Sequence, residues 1–111
     1  MEKIKNYEEL RNYLDTNDRA LVFVTNDMCS VCHADLPRID ELAKKKGIAA
    51  YHVDIAVQPL IAGQFSLFSV PAVLLFFKGK EYHRQVHFID FRELEHRIEE
   101  IMEAPLEELE Q

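Results

Sequence analysis

Apolar positions along the chain fall into two rhythms. Continuous β-branched and aromatic runs occupy residues 20–25 (ALVFVT) and 71–77 (PAVLLFF), and IAAYHVD over 48–54 reads as a further strand. Runs of that length, apolar on both faces, predict central strands covered on both sides. Between them the spacing changes to three and four residues. Tyr7, Leu10 and Leu14 predict a helix over 7–16, opened by the capping-box pair Asn6 and Glu9. Leu36, Ile39, Leu42 and Ala43 predict a helix over 29–46, with three lysines in its last turn, Gly47 as its stop and Pro37 as a kink inside it. A short helix over 59–65 has the weakest pattern, because Gly63 interrupts it.

Lys78, Gly79 and Lys80 predict a tight turn into a strand over 81–88, with Tyr82, Val86 and Phe88 on one face. Asp90 and Glu93 then repeat the capping box. Phe91, Leu94, Ile98, Ile101 and Met102 form the stripe of a closing helix that Pro105 ends. The expected fold is α/β, a mixed central sheet of four or five strands with helices on both faces. One domain over 1–105 is expected, followed by an acidic tail over 106–111.

Composition narrows the function. The chain has 111 residues, 20 acidic against 13 basic, so a nucleic-acid backbone or an anionic membrane surface would be repelled. No run has the length or apolarity of a signal peptide or a membrane span, and a cytoplasmic location is expected. In that compartment a lone cysteine pair points to catalysis, redox sensing or metal binding rather than to a structural staple.

The only two cysteines, Cys29 and Cys32, lie in TNDMCSVCHADLPRID, where the first strand turns into the second helix. Cys29 at a helix N-terminus sits among unpaired N–H groups that stabilise a thiolate. Cys32, three residues on, lies on the same face and within bridging range. The pair can therefore attack a substrate disulfide through Cys29, form a mixed disulfide, and release the product when Cys32 attacks the Cys29 sulfur.

Three other readings compete. CSVCH matches the attachment pattern of a c-type haem, but that chemistry requires export and further axial ligation. Zinc would lack a complete shell with two cysteines and His33. Two small buried hydrophobes are the plainest alternative. The remaining histidines, His52, His83, His87 and His96, show no ligand spacing and read as solvated. Farther along, Val70-Pro71 opens a core strand without a glycine in the turn before it, a place that suits a cis bond.

Taken together, CxxC opening a helix, Pro37 five residues later, Val70-Pro71 before a strand and the hairpin at Gly79 resemble the thioredoxin family over nearly the whole chain. The resemblance implies thiol–disulfide exchange on protein disulfides without a cofactor, recharging by an upstream disulfide reductase such as a thioredoxin reductase, and a cis-Pro71 packed beside Cys29. It implies that Val70 hydrogen-bonds the substrate backbone. Met28 and Phe68 are expected as an apolar lip. The sequence departs from the family pattern at Met28, where Trp is common, and at Ser30-Val31, where Gly-Pro is common. Phe23 stands where a buried acid is frequent, and His87 stands near a missing glycine. These departures keep a second reading open, a binding or redox-sensing module with little turnover. Val31, which restores a backbone N–H, and His33 are expected to make the couple somewhat more oxidising than an ordinary thioredoxin, with Asp27 and Asp35 opposing.

Overall fold

The computed structural model describes residues 1–105; the acidic tail expected at 106–111 lies outside the described residues. The elements are β1 (Glu2–Lys3), α1 (Tyr7–Thr16), β2 (Arg19–Thr25), α2 (Ser30–Lys46), β3 (Ala49–Asp54), α3 (Pro59–Gln64), β4 (Ala72–Phe77), β5 (Lys80–Val86) and α4 (Phe91–Glu103). They build a five-stranded sheet in the order β1-β3-β2-β4-β5. β1 and β2 run parallel to β3, whereas β4 is antiparallel to both β2 and β5.

The strand period of two explains why β2 and β4 read as unbroken apolar runs. Val22, Val24, Leu74 and Phe76 face Leu10 and Leu14 of α1 and Ile61 of α3. Leu21, Phe23, Val73 and Leu75 face the other way, onto Ile39 and Ala43 of α2 and Leu94, Ile98 and Ile101 of α4. Each strand thus supplies two cores at once, and polar residues have no face to occupy.

Helix ends follow the chemistry of their caps. Asn6 accepts the Glu9 N–H at the start of α1, and Asp90 accepts the N–H groups of Arg92 and Glu93 at the start of α4. Gly47 ends α2 in the left-handed conformation, φ 72°, with its N–H on the carbonyls of Ala43 and Lys44. Pro37 lies within the span of α2. At the hairpin, Lys78 and Gly79 both have positive φ, 51° and 79°, the sign pair of a type I′ turn.

Two details differ from the sequence reading. The charged dipeptide Glu2–Lys3 forms a parallel edge strand on β3, too short to carry a pattern, and Ile4 behind it is buried. The second hairpin strand ends at Val86 rather than at residue 88. A register shift between Leu75 and Phe76 skips Tyr82, and His87 then takes φ 76°, which breaks the alternation. Phe88 is consequently turned out to solvent, 77% exposed, and Ile89 is buried in its stead.

Candidate active site

Because Val24 lies opposite Ala72 and Ala72 opposite Val86, three loops leave the same end of the sheet. They are the turn from β2 to α2, the segment entering β4, and the segment leaving β5. All five site residues expected from sequence lie in the first two or in the first turn of α2.

The β2–α2 turn is folded by Asn26. Its side-chain oxygen accepts the Met28 N–H at 3.0 Å and its carbonyl accepts the Cys29 N–H at 2.9 Å. This leaves Cys29 as the N-cap of α2, where its Sγ accepts the Cys32 N–H at 3.1 Å and its carbonyl accepts the His33 N–H. Sulfur thus occupies the place that a Ser or Asp oxygen fills at an ordinary cap, at the positive end of the helix. Cys29 and Cys32 are joined as a disulfide, with Cα atoms 5.2 Å apart. The two sulfurs differ in access. Cys32 is 1% exposed, and Cys29 is only half-buried. Met28 stands at the tip of the turn, 92% exposed.

The Val70–Pro71 peptide is cis. Pro71 is buried and its carbonyl accepts the His87 N–H at 2.7 Å, tying the segment before β4 to the end of β5. Arg84 on β5 donates to the carbonyls of Phe65 at 2.7 Å and Ser66 at 3.2 Å, which anchors the start of the same segment. Val70 is half-buried and precedes the ladder, and its backbone forms no backbone hydrogen bond among the described residues. Its N–H and C=O are available to an extended peptide. Phe68, Val31 and Phe88 are exposed as well, so this end of the sheet carries a discontinuous apolar rim.

His33 is exposed and bonds the Asp27 carbonyl through Nε2 at 2.9 Å. That engagement fixes the ring against the turn. His87, near the missing glycine, holds a left-handed backbone that costs an L-residue about 1–2 kcal/mol, of which glycine's greater unfolded-state freedom would return about 0.5–1. His87→Gly is therefore expected to raise stability by up to about 1 kcal/mol in urea unfolding, with the N–H bond to Pro71 retained. An unchanged or lower midpoint would show the conformation to be unstrained.

Two histidines are less solvated than their sequence context suggests. Half-buried His52 lies 2.7 Å through Nε2 from the Thr25 hydroxyl, and burial first, then Lys3, pushes it below its ordinary 6.5. Burial first, then Arg97, does the same to His83. The folded state thus favours the neutral rings. The resulting stability is complete above about pH 6.5 and declines as pH falls from there toward the lower folded values, because the unfolded chain takes up protons first. Unfolding midpoints at pH 7.5 and 5.5 test this: His52→Gln is expected to shrink the loss seen at the lower pH, and an undiminished loss would contradict it.

The burial of Asp35 is a feature that sequence reasoning missed. It is 9% exposed, and its position three residues after Cys32 and four before Ile39 was the available signal. No group of three or more His, Cys, Asp or Glu side chains among the described residues is disposed to hold a metal ion. No described helix is long and apolar enough to cross a membrane.

Comparison with known proteins agrees with this geometry. The thioredoxin family pattern matches residues 2–100. The chain is 30% identical over 93 residues to the thioredoxin-like protein YdfQ of Bacillus subtilis, covering 83% of each chain. It is 30% identical over 95 residues to a thioredoxin of Mycoplasmoides gallisepticum, covering 85% of this chain and 95% of that one. Among solved structures, a mutant thioredoxin of Halobacterium salinarum superposes with a TM-score of 0.86 at 24% identity, covering 94% of this chain and 92% of that one.

Proposed function

Since the chain belongs to the thioredoxin family and is a thiol–disulfide oxidoreductase, we propose that it serves as a cytosolic reductase of protein disulfides, with Cys29 as nucleophile and Cys32 as resolving thiol. The observation that carries this reading is the Cys29 sulfur at the N-cap of α2, accepting the Cys32 N–H while remaining partly open to solvent. A thiolate there is stabilised by an N–H bond and by the helix terminus, and a partner disulfide can reach it. Cys32, buried one turn later, is shielded from outside disulfides but adjacent to Cys29.

The reaction then has two steps. The Cys29 thiolate attacks a partner disulfide, forming a mixed disulfide and expelling one partner thiolate. The Cys32 thiolate next attacks the Cys29 sulfur, closing the internal disulfide and expelling the second. An upstream disulfide reductase such as a thioredoxin reductase restores the dithiol, which suits a reducing compartment. Val70 would pair with an extended segment of the partner, a form of strand addition, with Pro71 fixing the approach and Met28 and Phe68 gripping apolar side chains. Residues 1–105 act as one unit, with 106–111 as an acidic appendage.

A second reading, a binding or sensing module with little turnover, is favoured by the absence of an acid from position 23, which holds Phe23, fully buried. Trapping separates the two. Cys32→Ser is expected to accumulate mixed disulfides with many proteins if the chain is a general reductase. One trapped protein would mark a dedicated partner, and none would favour the non-catalytic module.

A further inference from the structure

The chain has six arginines, and four of them are engaged within the fold. Arg11 pairs with Asp15, Arg84 with Glu81, and Arg97 with Glu93 and Glu100, while Arg19 donates to the carbonyls of Ile101 and Ala104 at the end of α4. Arg38 on α2 and Arg92 on α4 differ, because among the described residues neither guanidinium forms an ion pair or a hydrogen bond. In a chain with 20 acidic side chains, two cations are thus left unspent. Both line one groove of about 510 Å³, which they share with Val31, between the two cysteines, and with Phe88 on the segment leaving β5. Val31 and Phe88 are exposed, so the groove joins an apolar surface at the redox motif to a pair of guanidiniums. The Arg38 guanidinium lies 3.8 Å from the centre of the Phe91 ring. Stacking there uses its face and leaves its edge, the fork of N–H donors that matches a carboxylate. The groove also holds two acids. Asp90 is committed to the N–H groups of Arg92 and Glu93 as the cap of α4, which leaves Asp35 as the single free carboxylate against two guanidiniums.

We propose that this groove selects partner proteins by an aspartate or glutamate close to the cysteine under attack. This rests on the exchange by Cys29 and Cys32 described above. With the partner sulfur at Cys29, an extended segment of the partner lays an apolar side chain on Val31 and Phe88 and delivers its carboxylate to Arg38 and Arg92. A carboxylate held by two guanidiniums gains charge-assisted hydrogen bonds that a neutral side chain cannot match. A lysine at that place meets like charge, which disfavours it. Asp35 opposes any acid that enters, so both arginines are needed to set the preference. The net charge of −7 repels an acidic partner at long range. That repulsion is screened beyond about 8 Å at physiological salt, and at contact the groove decides.

Three synthetic peptide disulfides test it, each a dimer of one cysteine peptide with leucine beside the cysteine and glutamates, glutamines or lysines on both flanks. Reduced protein, freed of other thiols, is mixed with excess peptide, and the second-order rate of peptide thiol release is followed by chromatography. Wild type is expected to reduce the glutamate peptide about five- to tenfold faster than the lysine peptide, once each is corrected by its own rate with dithiothreitol. The double variant Arg38→Gln/Arg92→Gln should lose that preference, while reducing the glutamine peptide and neutral hydroxyethyl disulfide within about twofold of wild type. Arg11→Gln/Lys80→Gln removes the same charge at the hairpin end of the sheet and should keep the preference. The preference should also shrink in about 0.5 M salt, as a packing effect would not. Equal wild-type rates on the glutamate and lysine peptides overturn the proposal, as does a preference that survives in Arg38→Gln/Arg92→Gln or equal slowing of that variant on all three peptides. Loss of the preference in Arg11→Gln/Lys80→Gln also overturns it, by making it a matter of net charge. Failure of the wild type to reduce even hydroxyethyl disulfide would overturn the exchange reading as well, and is thereby told apart from failure of the groove alone.

Discussion

Cys29→Ser protein is expected to reduce insulin disulfides with dithiothreitol no faster than buffer alone, while folding as stably as the reduced wild type. A serine hydroxyl at the N-cap keeps a hydrogen-bond acceptor for the Cys32 N–H, so α2 should start in the same place. What is lost is the thiolate, and the remaining sulfur, Cys32, is 1% exposed and out of reach of a protein disulfide. Cys32→Ser should behave differently. It retains the attack step, and its mixed disulfide persists until an external thiol cleaves it. Parallel measurement of insulin turbidity and of thiol content distinguishes the two, and residual turnover in Cys29→Ser above background would reassign the nucleophile.

The largest effect on stability is expected at Phe23. It is 0% exposed at the centre of β2, in register with His52 of β3 and Val73 of β4, and packs with Ile39 of α2 and Ile98 of α4. Truncation to alanine leaves a cavity that the flanking strands, hydrogen-bonded on both sides, cannot close. A loss of about 3–5 kcal/mol follows. Against a total of about 5–15 kcal/mol this is a large share, and it should lower the melting temperature by about 12–25 °C. Calorimetry or circular dichroism measures it; a loss under about 1 kcal/mol would mean that the α2 side of the sheet is not a tightly packed layer. Phe23→Asp, which places an acid there, should cost more still, because the charge would be buried in a layer that is apolar apart from His52 on the neighbouring strand.

The sequence revealed most where one physical requirement dominates. Strands buried on both faces must be apolar throughout, which is why β2 and β4 stand out. Caps must present an acceptor, so Asn6 and Asp90 mark the starts of α1 and α4. Where several weak requirements compete, the pattern fails. β1 owes its place to pairing with Tyr51 and His52, a tertiary effect that leaves no local trace in two charged residues. The end of β5 is set by His87 donating to Pro71 from across the sheet end, and no period in HRQVHF foretells it.

The candidate site divides in the same way. Cys29 and Cys32 are legible because their spacing and their position at a strand-to-helix turn are both local. The groove beside them is not, since it joins α2 to the loop after β5, more than 50 residues apart in sequence, and its exposed Phe88 reads as the end of a strand face. Asp35 escapes notice for the opposite reason. An acid on a helix is ordinarily taken as solvated, and only its phase relative to Cys32 and Ile39 betrays burial.

Whether the two cysteines form one reversible redox couple is decided by equilibrating the purified protein across graded redox buffers, trapping free thiols, and reading the masses. A single intramolecular Cys29–Cys32 disulfide should form and break reversibly, with a midpoint between roughly −270 and −180 mV. A protein that forms no intramolecular disulfide at any potential would rule out the two-thiol mechanism and leave a binding module as the function of this fold.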